Sequence, residues 1–263
     1  MYKLDNSFAR DRFTVTVAGC GGTGAFVAEG LCRFLPWHAE LVLIDHDRVE
    51  ERNLIRQNFD AGDLGKFKSE ALAKRLAVKY RRPVAYSIVP VGLADVRESG
   101  VVIGCVDNGL ARKDIENKLG EHTGRWSRGP WWVDAGNGEN YGQIIIGNQT
   151  AAGICSSFDV DKNVCLNLPL PTLQRPEILE QRPTRHNCAQ DVLTGEQGPV
   201  INQMMATVTL ETVRRLIEGD CLWMQLYLDL EAGTLVPVLA TPELVSRITG
   251  ISLKKLERKG GEP

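Results

Sequence analysis

Short runs of β-branched and aliphatic residues alternate with amphipathic stretches through the first half of the chain. "FTVTVAG" (13–19) is a β-branched run that ends in glycine, the pattern of a buried strand. Residues 22–35 follow with Ala25, Phe26, Ala28, Leu31 and Leu35 available to one helical face, and "ELVLID" (40–45) is a second strand ending on a carboxylate. A strand, helix and strand this close predict parallel strands with a right-handed crossover. "KFKSEALAKRLAVKY" repeats Leu72, Leu76 and Tyr80 at helical spacing, and "PVAYSIVPV" and "VVIGCVDN" (101–108) predict a third and a fourth strand. Asn108 is placed to cap the next helix, where Ala111, Ile115 and Leu119 share a face and Gly120 is read as the stop. "WWVDAG" (131–136) predicts a fifth strand. "YGQIIIGN" returns after only a few Gly and Asn residues, so it must pair antiparallel.

The pattern then changes. Residues 149–197 carry prolines at 169, 171, 176 and 183 and sustain no period, which reads as a long crossover or active-site loop. Pro199 is suited to open a helix, with Ile201, Met204, Met205, Val208, Val213, Leu216 and Ile217 on its buried side. "LWMQLYLDLEAGTLVPVL" predicts a closing hairpin around Glu231, Ala232 and Gly233. The expectation is a single α/β domain over 1–263, with a mixed sheet that is parallel in its first half and antiparallel in its second.

Composition narrows the class. Hydrophobic residues make up 43% and charged residues 24%, ordinary for a globular chain, and a net charge of −2 argues against a nucleic-acid partner. Seven cysteines without a CxxC pair fit free thiols in a reducing cytoplasm. There is no apolar leader and no apolar run of membrane-spanning length, so a cytoplasmic protein without a membrane partner is expected.

The candidate chemistry begins at "VAGCGGTG" (17–24). Gly19, Gly21 and Gly24 have the spacing of a turn that presents a helix N-terminus to phosphate, and Gly22 adds room for close approach. Asp45, at the end of the second strand, is placed for a ribose hydroxyl. These residues suit NAD as well as ATP, or a glycine turn that binds nothing; no Walker-A lysine follows the loop. Arg52, Asn53, Arg56, Gln57, Lys66 and Lys68 crowd the next segment. Cations there favour a triphosphate, because cleavage at the α-phosphate builds charge that must be stabilised. Singly, each would be an ordinary surface charge. Asp107 is a hard ligand for Mg²⁺ or, equally on spacing, a helix-capping acid.

"GCGGTG", "LVLIDHDRVEERNLIRQ", "LGKFKSEAL", "CVDNGLAR" and "VDAGNGENYGQIIIG" in that order resemble the ThiF/MoeB family, bacterial relatives of the ubiquitin-activating enzymes. The resemblance resumes at "NCAQDVLTGEQGPVINQMMATVTLETVRRLI". Within the family, the compact size and the "NCAQD" segment are most similar to the ThiF-type proteins of PRTRC gene clusters. It implies a Rossmann-like three-layer fold, ATP and Mg²⁺, and adenylation of the C-terminal glycine of a small ubiquitin-like, β-grasp protein by a homodimer. By position, Gly19, Gly21, Gly22 and Gly24 would cover the triphosphate and Asp45 would hold the ribose. Asp47, Asn53, Gln57 and Asn108 would complete the nucleotide set. Arg56 and Lys68 would stabilise phosphate charge, and Asp107 would bind Mg²⁺.

Three points bear on how far the chain departs from its relatives. Only a dozen residues precede the first strand, which leaves open whether an arginine is supplied across a dimer; Arg10 and Arg12 are the nearest substitutes. The two CxxC pairs that hold zinc in relatives are missing, so no zinc is expected. Cys188 falls where some relatives carry a nucleophilic cysteine, with Arg185 and His186 nearby to favour thiolate; Cys155 and Cys165 are its rivals, and Cys20, Cys32 and Cys105 read as packing. The alternatives are an NAD-dependent oxidoreductase, an adenylating enzyme for a small molecule or tRNA base, and a non-catalytic binder of a ubiquitin-like partner.

Overall fold

The computed structural model describes residues 1–122, 129–180 and 200–258, with the backbone alone at Arg56, His122 and Ala152. In chain order the main elements are β1 (Lys3–Leu4), β2 (Phe13–Ala18), α1 (Gly22–Phe34), β3 (Ala39–Ile44), α2 (Asn53–Arg56), α3 (Lys68–Tyr80) and β4 (Val84–Ser87). They continue with β5 (Gly100–Gly104), α4 (Gly109–His122), β6 (Trp131–Asn137), β7 (Tyr141–Gly147), β8 (Phe158–Asp159), β9 (Val164–Cys165) and α5 (Pro171–Gln174). Last come α6 (Ile201–Glu218), β10 (Trp223–Asp229), β11 (Thr234–Leu239), α7 (Pro242–Thr249), α8 (Leu253–Leu256) and β12 (Glu257–Arg258).

The large sheet has the order β11-β10-β7-β6-β5-β2-β3-β4. β2 lies parallel between β3 and β5, with Ala18 opposite Ile44 on one side and Gly104 on the other. β6 adds parallel to β5, and β7, β10 and β11 then pair antiparallel. The mixed sheet therefore has the predicted halves. Its two faces are covered separately. Val15, Val17, Leu43, Ile103 and Val133 face α1, α3 and α6, while Ile44, Val102 and Trp132 face Ile115 and Leu119 of α4. This is the three-layer arrangement that a mostly parallel sheet needs to bury both sides.

Several boundaries differ from the periodic reading. The fourth strand stops at Gly104, so Asp107 stands in the connector three residues beyond it and does not end the strand. Gly120 does not stop α4, which runs to His122. One glycine costs a helix about 1 kcal/mol, less than the buried anchors Ile115 and Leu119 return. The segment 149–180 is not plain loop: β8 and β9 pair with each other and join β1 and β12 in a second, four-stranded sheet. Phe158, Leu168 and Leu170 from this segment are buried. Residues 181–197 of the predicted loop, and Pro199, lie outside the described residues. Among the described residues no helix is long and apolar enough to cross a membrane.

Glu29 ties α1 to α3. It accepts hydrogen bonds from Lys79 Nζ (2.6 Å), the Tyr80 hydroxyl (2.8 Å) and Asn58 Nδ2 (2.8 Å). Partial burial pushes its carboxyl up, but these donors outweigh it and hold the pKa at about 2, against 4.5 normally. A depressed carboxylate stabilises the fold fully above its unfolded pKa and loses that contribution as pH falls through the folded value. Glu29→Gln should therefore lower stability by about 1–2 kcal/mol at neutral pH, allowing for solvent screening of the exposed Lys79. Chemical denaturation from pH 7 to pH 2.5 checks this: the gap to wild type should close below about pH 4.5.

Candidate nucleotide site

The site is built at the carboxyl ends of β2, β3 and β5, the edge where open α/β sheets bind ligands. The glycine loop leaves β2 through Gly19 at φ +89°, and Gly19 N–H donates to Ile44 O (2.9 Å). A side chain at Gly19 would meet Cys105 O at 2.5 Å, and one at Gly24 would meet Gly19 O at 1.9 Å. The turn thus closes against its own first residue and against the neighbouring strand, which only glycine permits. It delivers α1 with Gly21 at its N-cap and no side chain capping the first N–H groups. An uncapped helix N-terminus is a ready anion site.

Asp45 sits behind this loop. Its Oδ2 accepts from Cys20 N–H (2.6 Å) and its Oδ1 from Asp47 N–H (2.8 Å). Burial pushes its carboxyl up from the ordinary value, against the opposing pull of Lys68 and the two N–H groups. The residue predicted for ribose is thus also the brace of the loop. Ser69, opening α3, donates to Asp45 O (2.8 Å) and fixes the helix to the end of β3.

Lys68 is buried and reaches Asp47 Oδ2 at 2.9 Å, while its backbone N–H donates to Asp47 O (2.8 Å). Partial burial would push Asp47 up, but Lys68, with His46 and Arg52, holds its carboxyl below the usual range. A buried ammonium is thus kept beside two carboxylates at the loop. Asp45, His46 and Asp47 also have ligand atoms within 4.8 Å of one another. Lys68 holds Asp47 Oδ2, and one backbone N–H rests on each oxygen of Asp45, so this set braces the loop while each Asp45 oxygen keeps a lone pair for a further donor.

The residues of α2 approach from the other side. Asn53 is buried and its Oδ1 accepts from Glu50 N–H (2.8 Å), closing the turn before the helix. Gln57 brings Nε2 to within 3.9 Å of the Cβ position at Gly21, and its buried Oε1 has no partner. That unmet acceptor beside the uncapped loop fits a bound nucleotide, whose hydroxyls or bridging water would donate to it. Arg56 is the last residue of α2, and its side chain lies outside what is described. Arg52 and Lys66 pair with their own neighbours, Glu50 and Asp63, at 2.6 and 3.9 Å.

Asp107 stands exposed after β5, with Asn108 Nδ2 at 3.0 Å. Asn108 Oδ1 accepts from Ala111 N–H (2.9 Å), so Asn108 caps α4. A lone exposed carboxylate fits Mg²⁺, which takes one or two protein carboxylates and leaves its other positions to water and phosphate. Cys188 lies outside the described residues. Cys165 is buried and donates to Asn167 O (3.5 Å), and burial pushes its thiol up; this is packing, not a nucleophile. Burial likewise raises Cys32 to about 11 and Cys105 to about 12.

Two groups were missed from sequence. Arg112 in α4 and Asp134 in β6 form a fully buried ion pair, Nε to Oδ2 at 3.0 Å, behind the connector that carries Asp107. Asn202, in the first turn of α6, bonds to the glycine-loop helix. The signal for the second was present: Asn202 shares a helical stripe with Ala206, Thr209, Val213 and Leu216, an amide on a core face.

Fold and site together define an α/β protein whose glycine loop, at the carboxyl edge of a parallel sheet, is backed by a buried lysine. The sequence model of the ThiF family matches residues 9–222, and the chain belongs to that family. It is 31% identical over 165 residues to ubiquitin-like modifier-activating enzyme 5 of Drosophila willistoni, covering 54% of this chain and 38% of that protein. With the enzyme of the same name from Xenopus laevis it shares 30% over 185 residues, covering 62% of this chain and 44% of the relative. The chain thus spans less than half the length of these curated relatives. Among solved structures, E. coli MccB superposes with a TM-score of 0.60 at 17% identity, over 89% of this chain and 64% of the other. PaaA superposes with a TM-score of 0.57 at 16% identity, over 89% and 66%. These likenesses establish the fold.

Proposed function

We propose that the protein uses ATP and Mg²⁺ to adenylate the C-terminal glycine of a small ubiquitin-like, β-grasp partner, acting as a homodimer. The observation that carries this reading is the buried Lys68 held by Asp47 beside the glycine loop. A dehydrogenase binds a diphosphate without splitting it and has no use for such a cation. Membership of the ThiF family and the names of the curated relatives support the same reaction class.

In this reaction a carboxylate oxygen of the partner forms a bond to the α-phosphorus. The bridging bond to the β-phosphate breaks, and pyrophosphate leaves. Lys68 and Arg56 offset the charge that develops, and Asp107 would hold the Mg²⁺ that neutralises the phosphates. Asp45 and the loop N–H groups orient the nucleotide. We propose further that the sulfur of Cys188 then attacks the activated carbonyl, releasing AMP and losing its thiol proton to solvent.

Nucleotide-dependent melting tests the reading. ATP with Mg²⁺ should raise the melting temperature, by about 3 kcal/mol of linkage at a hundredfold excess over Kd, and NAD should not. Stabilisation by NAD alone would establish the oxidoreductase instead. With the partner present, mass spectrometry should detect a covalent adduct that Cys188→Ala abolishes while pyrophosphate exchange persists. An adduct that survives the substitution places the nucleophile elsewhere.

A further inference from the structure

We propose that Asn202 is a positioning residue for the nucleotide site: its amide clamps the first turn of α1 and so tunes nucleotide affinity. This rests on the reading of that loop as the ATP site. Three elements meet at this amide. Asn202 is 5% exposed, and its Oδ1 lies 3.3 Å from Thr23 Oγ1 on α1 and 3.3 Å from Asn137 Nδ2 at the end of β6. Thr23 Oγ1 is also 3.2 Å from Asn137 Oδ1, so its single proton is shared between two amide oxygens. The other end of the Asn202 amide fills the space over Gly22: its Nδ2 is 2.5 Å from where a Cβ would stand.

The consequences follow from geometry. Gly22 is the first residue of α1, the turn whose uncapped N–H groups would face a bound phosphate. A methyl at position 22 and an amide at position 202 cannot occupy the same space, so the two residues specify each other. Loss of the amide leaves the half-buried Asn137 Nδ2 with only its long bond to Gly138 O (3.4 Å) and unpins the turn from β6 and α6. Asn202 touches the loop and not the reacting atoms, so its effect belongs to nucleotide binding and loop order, and less to turnover.

The test uses the full chain with three variants: Asn202→Ala, Gly22→Ala and the double substitution. Pyrophosphate exchange with the partner gives KM for ATP and kcat, and hydrogen exchange of residues 19–25 without nucleotide reads the clamp directly. Asn202→Ala should raise KM about 5- to 10-fold with kcat within about 2-fold, and should speed exchange in the loop. Gly22→Ala should be worse. The double variant should recover toward Asn202→Ala, because the new methyl enters the space the amide vacates; the penalties should not multiply. Unchanged KM and loop exchange in Asn202→Ala, or penalties that multiply in the double variant, overturn the proposal. A wild type that binds no ATP, yet whose loop exchange keeps this coupling, overturns the functional reading and supports the clamp.

Discussion

Lys68→Ala should lower pyrophosphate exchange by about 10²–10³-fold at saturating ATP, the scale on which a preorganised transition-state cation acts. Lys68 is buried, and its Nζ sits 2.9 Å from Asp47 Oδ2 with Asp45 close behind. On the proposed reading, alanine removes the charge that would face the phosphates and also the counter-charge of two carboxylates. Both effects oppose binding of an anion. Lys68→Arg separates them: it restores the charge but not the position, because a forked guanidinium does not replace a point ammonium in a tight site. Exchange in Lys68→Arg should stay at least tenfold below wild type while stability returns. A loss of only a few-fold in Lys68→Ala would make Lys68 a structural partner of Asp47.

The second large effect is on stability. Arg112→Met should destabilise the protein by about 3–5 kcal/mol, because it leaves Asp134 as a buried charge without its partner. Arg112 and Asp134 are 1% and 0% exposed, with Nε 3.0 and 3.2 Å from the carboxylate oxygens. Since natural domains hold only about 5–15 kcal/mol in total, melting should fall by roughly 10 °C. Burial pushes the Asp134 carboxyl up even with Arg112 present. In Arg112→Met, therefore, the loss should shrink as pH falls, since a neutral carboxyl needs no counter-charge. Arg112→Met with Asp134→Leu should recover most of the stability by removing both charges. Melting curves at pH 7 and pH 5 decide it: a pH-independent loss would make the cost one of packing and not of charge.

These two residues also mark how legible the protein was in its sequence. Lys68 was found from sequence because it stands in the basic segment after the second strand and in the motif "LGKFKSEAL", although its partner Asp47 lies 21 residues earlier. Arg112 lies in the same kind of motif, "CVDNGLAR", yet its partner Asp134 is on another strand. Only the parallel pairing of β5 with β6 brings them together. Asn202 was passed over for the same reason: it is 179 residues from Thr23, and the hydrogen bond between them exists only once α1 and α6 pack.

The sequence by itself determined the strands of the main sheet with their parallel-then-antiparallel order, the helices α1, α3, α4 and α6, and the glycine turn. These follow from hydrophobic period, turn residues and connection length, all local properties of the chain. Tertiary structure decided the second sheet, whose strands are two residues each and too short to carry a period. It decided that Asp107 stands beyond its strand, because the ladder to β2 ends at Gly104. It also decided that Asp45 braces the loop and that Asn202 clamps it, since burial and long-range hydrogen bonds depend on which surfaces meet.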